Sequence, residues 1–144
     1  MTYEEWLSII EEINKTSINM TTLEKLKNTE INPNINEMVY PKLVSAIKNR
    51  FTNSINKIIN SLDIVFSDKN YLDLELLNFK KELKYLEELT KLKQIPDELK
   101  IDLYSTLVNE SNNVYNILEK EADKIDYTGV YGSIIRNNRI KWSE

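Results

Sequence analysis

Two residue types with the most versatile chemistry are missing from this sequence: it has no histidine and no cysteine. Without cysteine there is no disulfide scaffold and no thiolate metal site, and without histidine there is no imidazole ligand. Ser-His-Asp and Cys-His nucleophilic arrangements are excluded for the same reason. Only two glycines occur, three positions apart at Gly129 and Gly132, so a glycine-rich phosphate loop has no material to form from. No apolar run approaches the roughly 18 residues that suggest a membrane span. The first 15 residues, MTYEEWLSIIEEINK, are acidic where a secretory signal is basic. Together these absences lead us to expect a cytoplasmic protein, with no membrane association, metal or other cofactor.

What is present is ordinary for a globular chain: 41% hydrophobic and 29% charged residues over a length of 144. That length suggests one domain, 1–144, with about two-thirds of the chain's surface buried on folding. Isoleucine and asparagine occur 18 times each and lysine 16 times, against three arginines. This bias is that of an AT-rich genome, which suggests a bacterial or phage source and makes each arginine more informative than a lysine.

Helical periodicity recurs along most of the chain. Thr2 and Glu5 have capping-box spacing, and Trp6, Ile9, Ile10 and Ile13 follow on one apolar face, which predicts a helix over about 2–14. A second box, Thr21 to Glu24, predicts a short helix ending near Asn28. The segment NTEINPNINE reads as turn-like, with the alternative that Asn32 and Pro33 open a helical turn. Pro41 fits a helix start or a kink. Beyond it, Val44, Ile47, Phe51, Ile55, Ile58, Leu62 and Val65 form a stripe through about seven turns. Leu72, Leu76, Phe79, Leu83 and Leu86 mark a helix over about 71–92, and Leu99 to Ile125 mark another over about 97–125. Ser111 falls on the apolar face of that last helix, where its hydroxyl is expected to bond back to its own backbone. Tyr104, Val108 and Tyr115 lie to one side, placed to pack on the first helix.

The end of the chain admits two readings. Ser133 could cap a final short helix with Ile134, Ile135 and Ile140 on the core, or Asn137 and Asn138 could turn a hairpin. An isolated hairpin is marginal in water, so the helix is favoured. The expected fold is all-α: a single-domain antiparallel bundle of three long helices, completed by the N-terminal helix. The short accessory helices and the tail then cover an end or a groove.

Charge is distributed unevenly. From Met38 to Leu62 there is no acid, while Lys42, Lys48, Arg50 and Lys57 are basic. From Asp97 to Asp126, eight acids face three lysines. The segment from Gly129 onward carries Arg136, Arg139 and Lys141 against Glu144 alone, close to Tyr127, Tyr131 and Trp142. Arginine, tyrosine and tryptophan are the types that most often anchor interfaces, so these six residues are the candidate partner-binding set. The expected function is a non-catalytic protein-binding module of the inhibitor, immunity, antitoxin, chaperone or adaptor kind. The alternative is a nucleic-acid-binding accessory protein using Lys42, Lys48, Arg50 and Lys57. That option is weaker because no exposed aromatics interleave the charges, as single-strand binding requires.

Overall fold

A computed structural model describes residues 1–15 and 17–142. Seven helices make up the described chain: α1 (Tyr3–Ile13), α2 (Met20–Asn28), α3 (Pro33–Ile59), α4 (Leu62–Val65), α5 (Lys69–Thr90), α6 (Asp97–Ile125) and α7 (Val130–Asn138). No strand occurs among the described residues, so the fold is the expected all-α bundle and the hairpin alternative for the tail is set aside.

Local chemistry accounts for most of the boundaries. The capping box at Thr2 and Glu5 is formed in both directions, each bond 3.2 Å. Asp68 caps α5 by accepting from Tyr71 N at 2.9 Å. The expected box at Thr21 does not form. Asn19 is the N-cap instead, accepting from Thr22 N at 3.0 Å, and the Thr22 hydroxyl turns to Glu12 Oε2 at 2.6 Å. Asparagine is the stronger N-cap of the two.

The alternative start at Asn32 and Pro33 is the one adopted, so α3 begins eight positions before Pro41 and runs through it. Pro41 cannot donate to the carbonyl one turn back, but it lies on the exposed side of the helix, as does Glu37, whose carbonyl is left over. The long stripe read through Val65 breaks at Asn60. The chain then re-forms one turn as α4, which still delivers Val65 to the core. Ser111 is fully buried and donates to Leu107 O at 2.7 Å, as its position on the stripe implies.

One contiguous apolar cluster draws on all seven helices. Helix α3 packs on both α5 and α6, which also pack on each other. The fourth position differs from expectation: α7, not α1, packs against α5 and α6, while α1 packs along α3. Accordingly the aromatic side of α6 meets the tail rather than the first helix. Tyr115 packs edge-on to Phe79 and beneath Arg139, and Tyr104 packs edge-on to Trp142. An isoleucine-rich tail fits here because Ile135 and Ile140 are both buried.

Candidate functional site

The tail is built from Asp126. Its Oδ1 accepts from the Thr128 amide at 2.9 Å and hydroxyl at 2.6 Å, and its Oδ2 accepts from Tyr131 N at 3.0 Å. These donors, the Thr128 hydroxyl foremost, hold its carboxyl down at about 2. Gly129 follows at φ +77°, a left-handed conformation that favours glycine, and lets the chain reverse into α7.

Beyond α7 the chain is fastened at several points. Asn138 Nδ2 donates to Asp73 Oδ1 at 2.9 Å, and Lys84 Nζ to the Lys141 carbonyl at 2.7 Å. Ile140 N donates to the Tyr115 hydroxyl at 3.3 Å. Burial pushes that phenol up to about 12.

The six sequence-predicted tail residues therefore separate. Trp142 is half-buried against Tyr104, with ring centroids 6.0 Å apart, and Tyr131 lies 6.0 Å from Phe66. Arg136 lies back along its own helix, where a Cβ on Gly132 would stand 3.1 Å from its Nη1. Tyr127 is fully exposed. Only Arg139 and Lys141 come together at a shared surface feature.

That feature is a depression of about 760 Å³ between the start of α2, the outer side of α5 and the tail. Its lining brings Arg139 and Lys141 of the tail together with Lys80, Lys81 and Lys84 of α5 and with Ile18, Met20 and Leu23. Ile18 is 39% exposed and Met20 56%. The lysines converge because the apolar stripe of α5, from Leu72 to Leu86, turns their side of the helix outward. Sequence reading missed them because those positions, KKELK, look like an ordinary solvated helix face.

A second depression of about 360 Å³ adjoins the first, sharing Lys81 and Ile18. It adds Lys15 and Lys57, and is lined also by Asn53, Asn78, Glu75 and Glu82. The two adjoin as one trough along α5, lined by Arg50 and by seven further cations: Lys15, Lys57, Lys80, Lys81, Lys84, Arg139 and Lys141. None of the seven forms an ion pair with a carboxylate among the described residues. The carboxylates nearby are engaged elsewhere: Glu82 by Arg50, and Glu88 by Lys27 at 2.8 Å, which leaves Glu75 alone in the trough.

Arg50 corrects the alternative basic face. Only 3% exposed, it is not available to a phosphate backbone. Its Nε and Nη2 form a bidentate pair with Glu82, at 2.8 and 2.6 Å. Its Nη1 donates to the carbonyls of Ile13, Lys15 and Ser17, and its guanidinium lies 4.7 Å over the Tyr85 ring. The planar fork suits this work, satisfying the carbonyl end of α1 and a carboxylate at once. Of the remaining three, Lys42 and Lys48 are exposed on α3, and Lys57 belongs to the trough.

Among the described residues no helix is long and apolar enough to cross a membrane, and no three acidic side chains gather as a metal-binding group. Comparison of the chain with protein-family models, with curated proteins and with solved structures finds no match.

Proposed function

We propose that this protein is a non-catalytic protein-binding module of the cytoplasm whose partner docks in the trough along α5. The observation that carries this reading is the gathering of seven cations without carboxylate partners, in a chain whose net charge is −4, beside exposed Ile18 and Met20. Like charges held together cost stability wherever solvent and salt screen them incompletely, and an acidic partner converts that cost into affinity and on-rate. Apolar side chains beside the charges suit a protein, which brings apolar groups of its own.

Nucleic acid fits the trough less well. A bound strand gains from aromatic faces on which bases stack, and the aromatic rings that line the trough among the described residues, Phe79 and Tyr85, are buried, Tyr85 beneath Arg50. The loss of Arg50 from the α3 face leaves Lys42 and Lys48 as exposed lysines on that helix outside the trough.

The test is a pair of fluorescence-anisotropy titrations, with a peptide rich in glutamate and leucine and with an oligothymidine strand. The peptide is expected to bind the wild type, to weaken at least about tenfold in Lys80→Glu/Lys81→Glu, and to be indifferent to Lys42→Glu/Lys48→Glu. Tighter binding of oligothymidine, falling log-linearly with salt and lost in Lys42→Glu/Lys48→Glu, overturns the reading.

A further inference from the structure

Given that reading of the trough, the geometry points to the form of the partner: we infer that the trough accepts an acidic amphipathic helix lying along α5, and not an extended or polyproline segment. Three observations converge on this.

The first is length. Along α5 the trough is lined from Glu75 to Glu88. At 1.5 Å per residue this track is about 20 Å long, enough for roughly 13 residues of helix.

The second is the absence of a sheet edge. No strand exists among the described residues. An extended peptide draws its affinity from main-chain hydrogen bonds to the exposed edge of a sheet, and the non-helical stretch of the tail that lines the trough already has Ile140 N and the Lys141 carbonyl paired. Polyproline segments need an aromatic-lined groove, and Tyr85 lies buried below this one. A helix satisfies its own backbone and meets the trough through side chains alone, so of these three peptide forms it is the one that this surface accommodates.

The third is the layout of charge. Cations reach the trough from two elements, Lys80, Lys81 and Lys84 from α5 and Arg139 and Lys141 from the tail, and Ile18 and Met20 line it with them. A matching helix carries acids on its flanks and an apolar stripe between them. Met20, unbranched and polarisable, adapts to whichever apolar side chain arrives.

Three synthetic peptides of about 14 residues and identical composition, apart from one substitution, test the inference. One has leucines at i, i+3, i+4, i+7 spacing with glutamates on both flanks; the second scrambles that order; the third places proline at its centre. Binding is read by anisotropy and peptide helicity by circular dichroism. The first peptide is expected to gain helicity and to bind best. The proline variant should fall by about a hundredfold, since proline in a helix interior is strongly unfavourable, and the scrambled peptide by at least about tenfold.

Equal binding of all three overturns the helical form while leaving the acidic protein partner standing. Binding by none of them, with oligothymidine bound, overturns the protein-binding reading beneath it. A second copy of this chain as the occupant would appear as dimerisation by sedimentation that Lys80→Glu/Lys81→Glu abolishes, and would overturn the separate acidic partner. Those two lysines are chosen because neither holds the tail in place, as Lys84 does.

Discussion

The edge formed by α1 and α2 and the tail formed by α7 are both short segments laid by buried apolar faces against long helices, but the edge adds a buried guanidinium and a buried carboxamide that the tail lacks. At the α1/α2 edge these added polar fasteners come from far along the chain. Arg50 of α3 reaches the carbonyl end of α1, and Gln94, between α5 and α6, donates to Leu26 O at 2.9 Å and Thr29 O at 3.4 Å at the end of α2. In the tail Ile135 and Ile140 are buried, Trp142 packs on Tyr104, a buried hydrogen bond runs from Ile140 N to the Tyr115 hydroxyl, and the bonds with Asp73 and Lys84 lie at the surface. Local donors serve the carbonyls of Ile10, Glu11 and Glu12 at the end of α1 and of Lys25 and Leu26 at the end of α2, and the remote donors add the Ile13 carbonyl, a second bond to Leu26 and the Thr29 carbonyl. The trough lies between these two differently held segments, so its shape depends on both.

The sharpest way to break this comparison is Arg50→Ala. It strands the Glu82 carboxylate and the carbonyls of Ile13 and Lys15 at once, and is expected to cost about 3–5 kcal/mol, the range for removing one partner of a buried pair. Denaturant unfolding measures it. Amide exchange should quicken first in α1 and α2 while α7 keeps its protection. A loss below about 1 kcal/mol would mean that the clamp does not hold the edge.

Ile135→Ala is the matching change in the tail. A fully buried isoleucine truncated to alanine is expected to cost about 2–4 kcal/mol. Here the exchange pattern should reverse, with α7 opening and α1 protected. Uniform acceleration in both variants would show that edge and tail unfold as one unit, and the comparison would fail.

Gln94→Ala sharpens the polar half of the contrast. It removes a donor to Leu26 and Thr29 but leaves no charge behind, and Leu26 O keeps its bond from Thr29 N, so about 1 kcal/mol is expected, the net worth of an ordinary hydrogen bond. The effect should be smaller than that of Arg50→Ala and confined to α2.

These contrasts also mark how far the sequence could be read. Helix content, the α1 box, the start and end of α6 and the buried Ser111 follow from short-range rules, in which a residue's role is fixed by neighbours three or four positions away. Arg50 resisted such reading because its partners lie more than 30 positions distant in both directions, at Ile13 and Glu82. Its sequence neighbours, Lys48 and Asn49, gave it the look of a solvated face. Its type was the usable signal, since arginine is rare in this chain and suits a buried fork better than lysine. The trough was half legible. Arg139 and Lys141 stood out by contrast with the acidic α6, whereas Lys80, Lys81 and Lys84 became a site only once packing set the tail beside them. The exchange of places between α1 and α7 was illegible for a similar reason: both have an isoleucine-rich face, and periodicity does not say which long helices a face will meet.

The smallest expected effect concerns the turn that launches the tail. Asp126 has an ordinary carboxyl pKa of 3.8 in the unfolded chain and about 2 in the folded one, lowered first by the Thr128 hydroxyl and then by Tyr131 N. A depressed folded pKa contributes stability that is fully present above 3.8 and is lost as pH falls through about 2. Asp126→Asn removes the titration, and its amide can offer only one of the two acceptor oxygens used in the wild type. At neutral pH the variant should therefore melt slightly below the wild type. As pH falls from about 4 toward 2, the wild type should lose this advantage while other carboxylates affect both proteins alike, so the two melting curves draw together. Melting temperatures of both proteins across that interval decide the matter. If the gap stays constant down to about pH 2, the carboxylate's charge does not fasten the turn, and the tail is held by the packing of Ile135, Ile140 and Trp142 and by its bonds with Asp73, Lys84 and Tyr115.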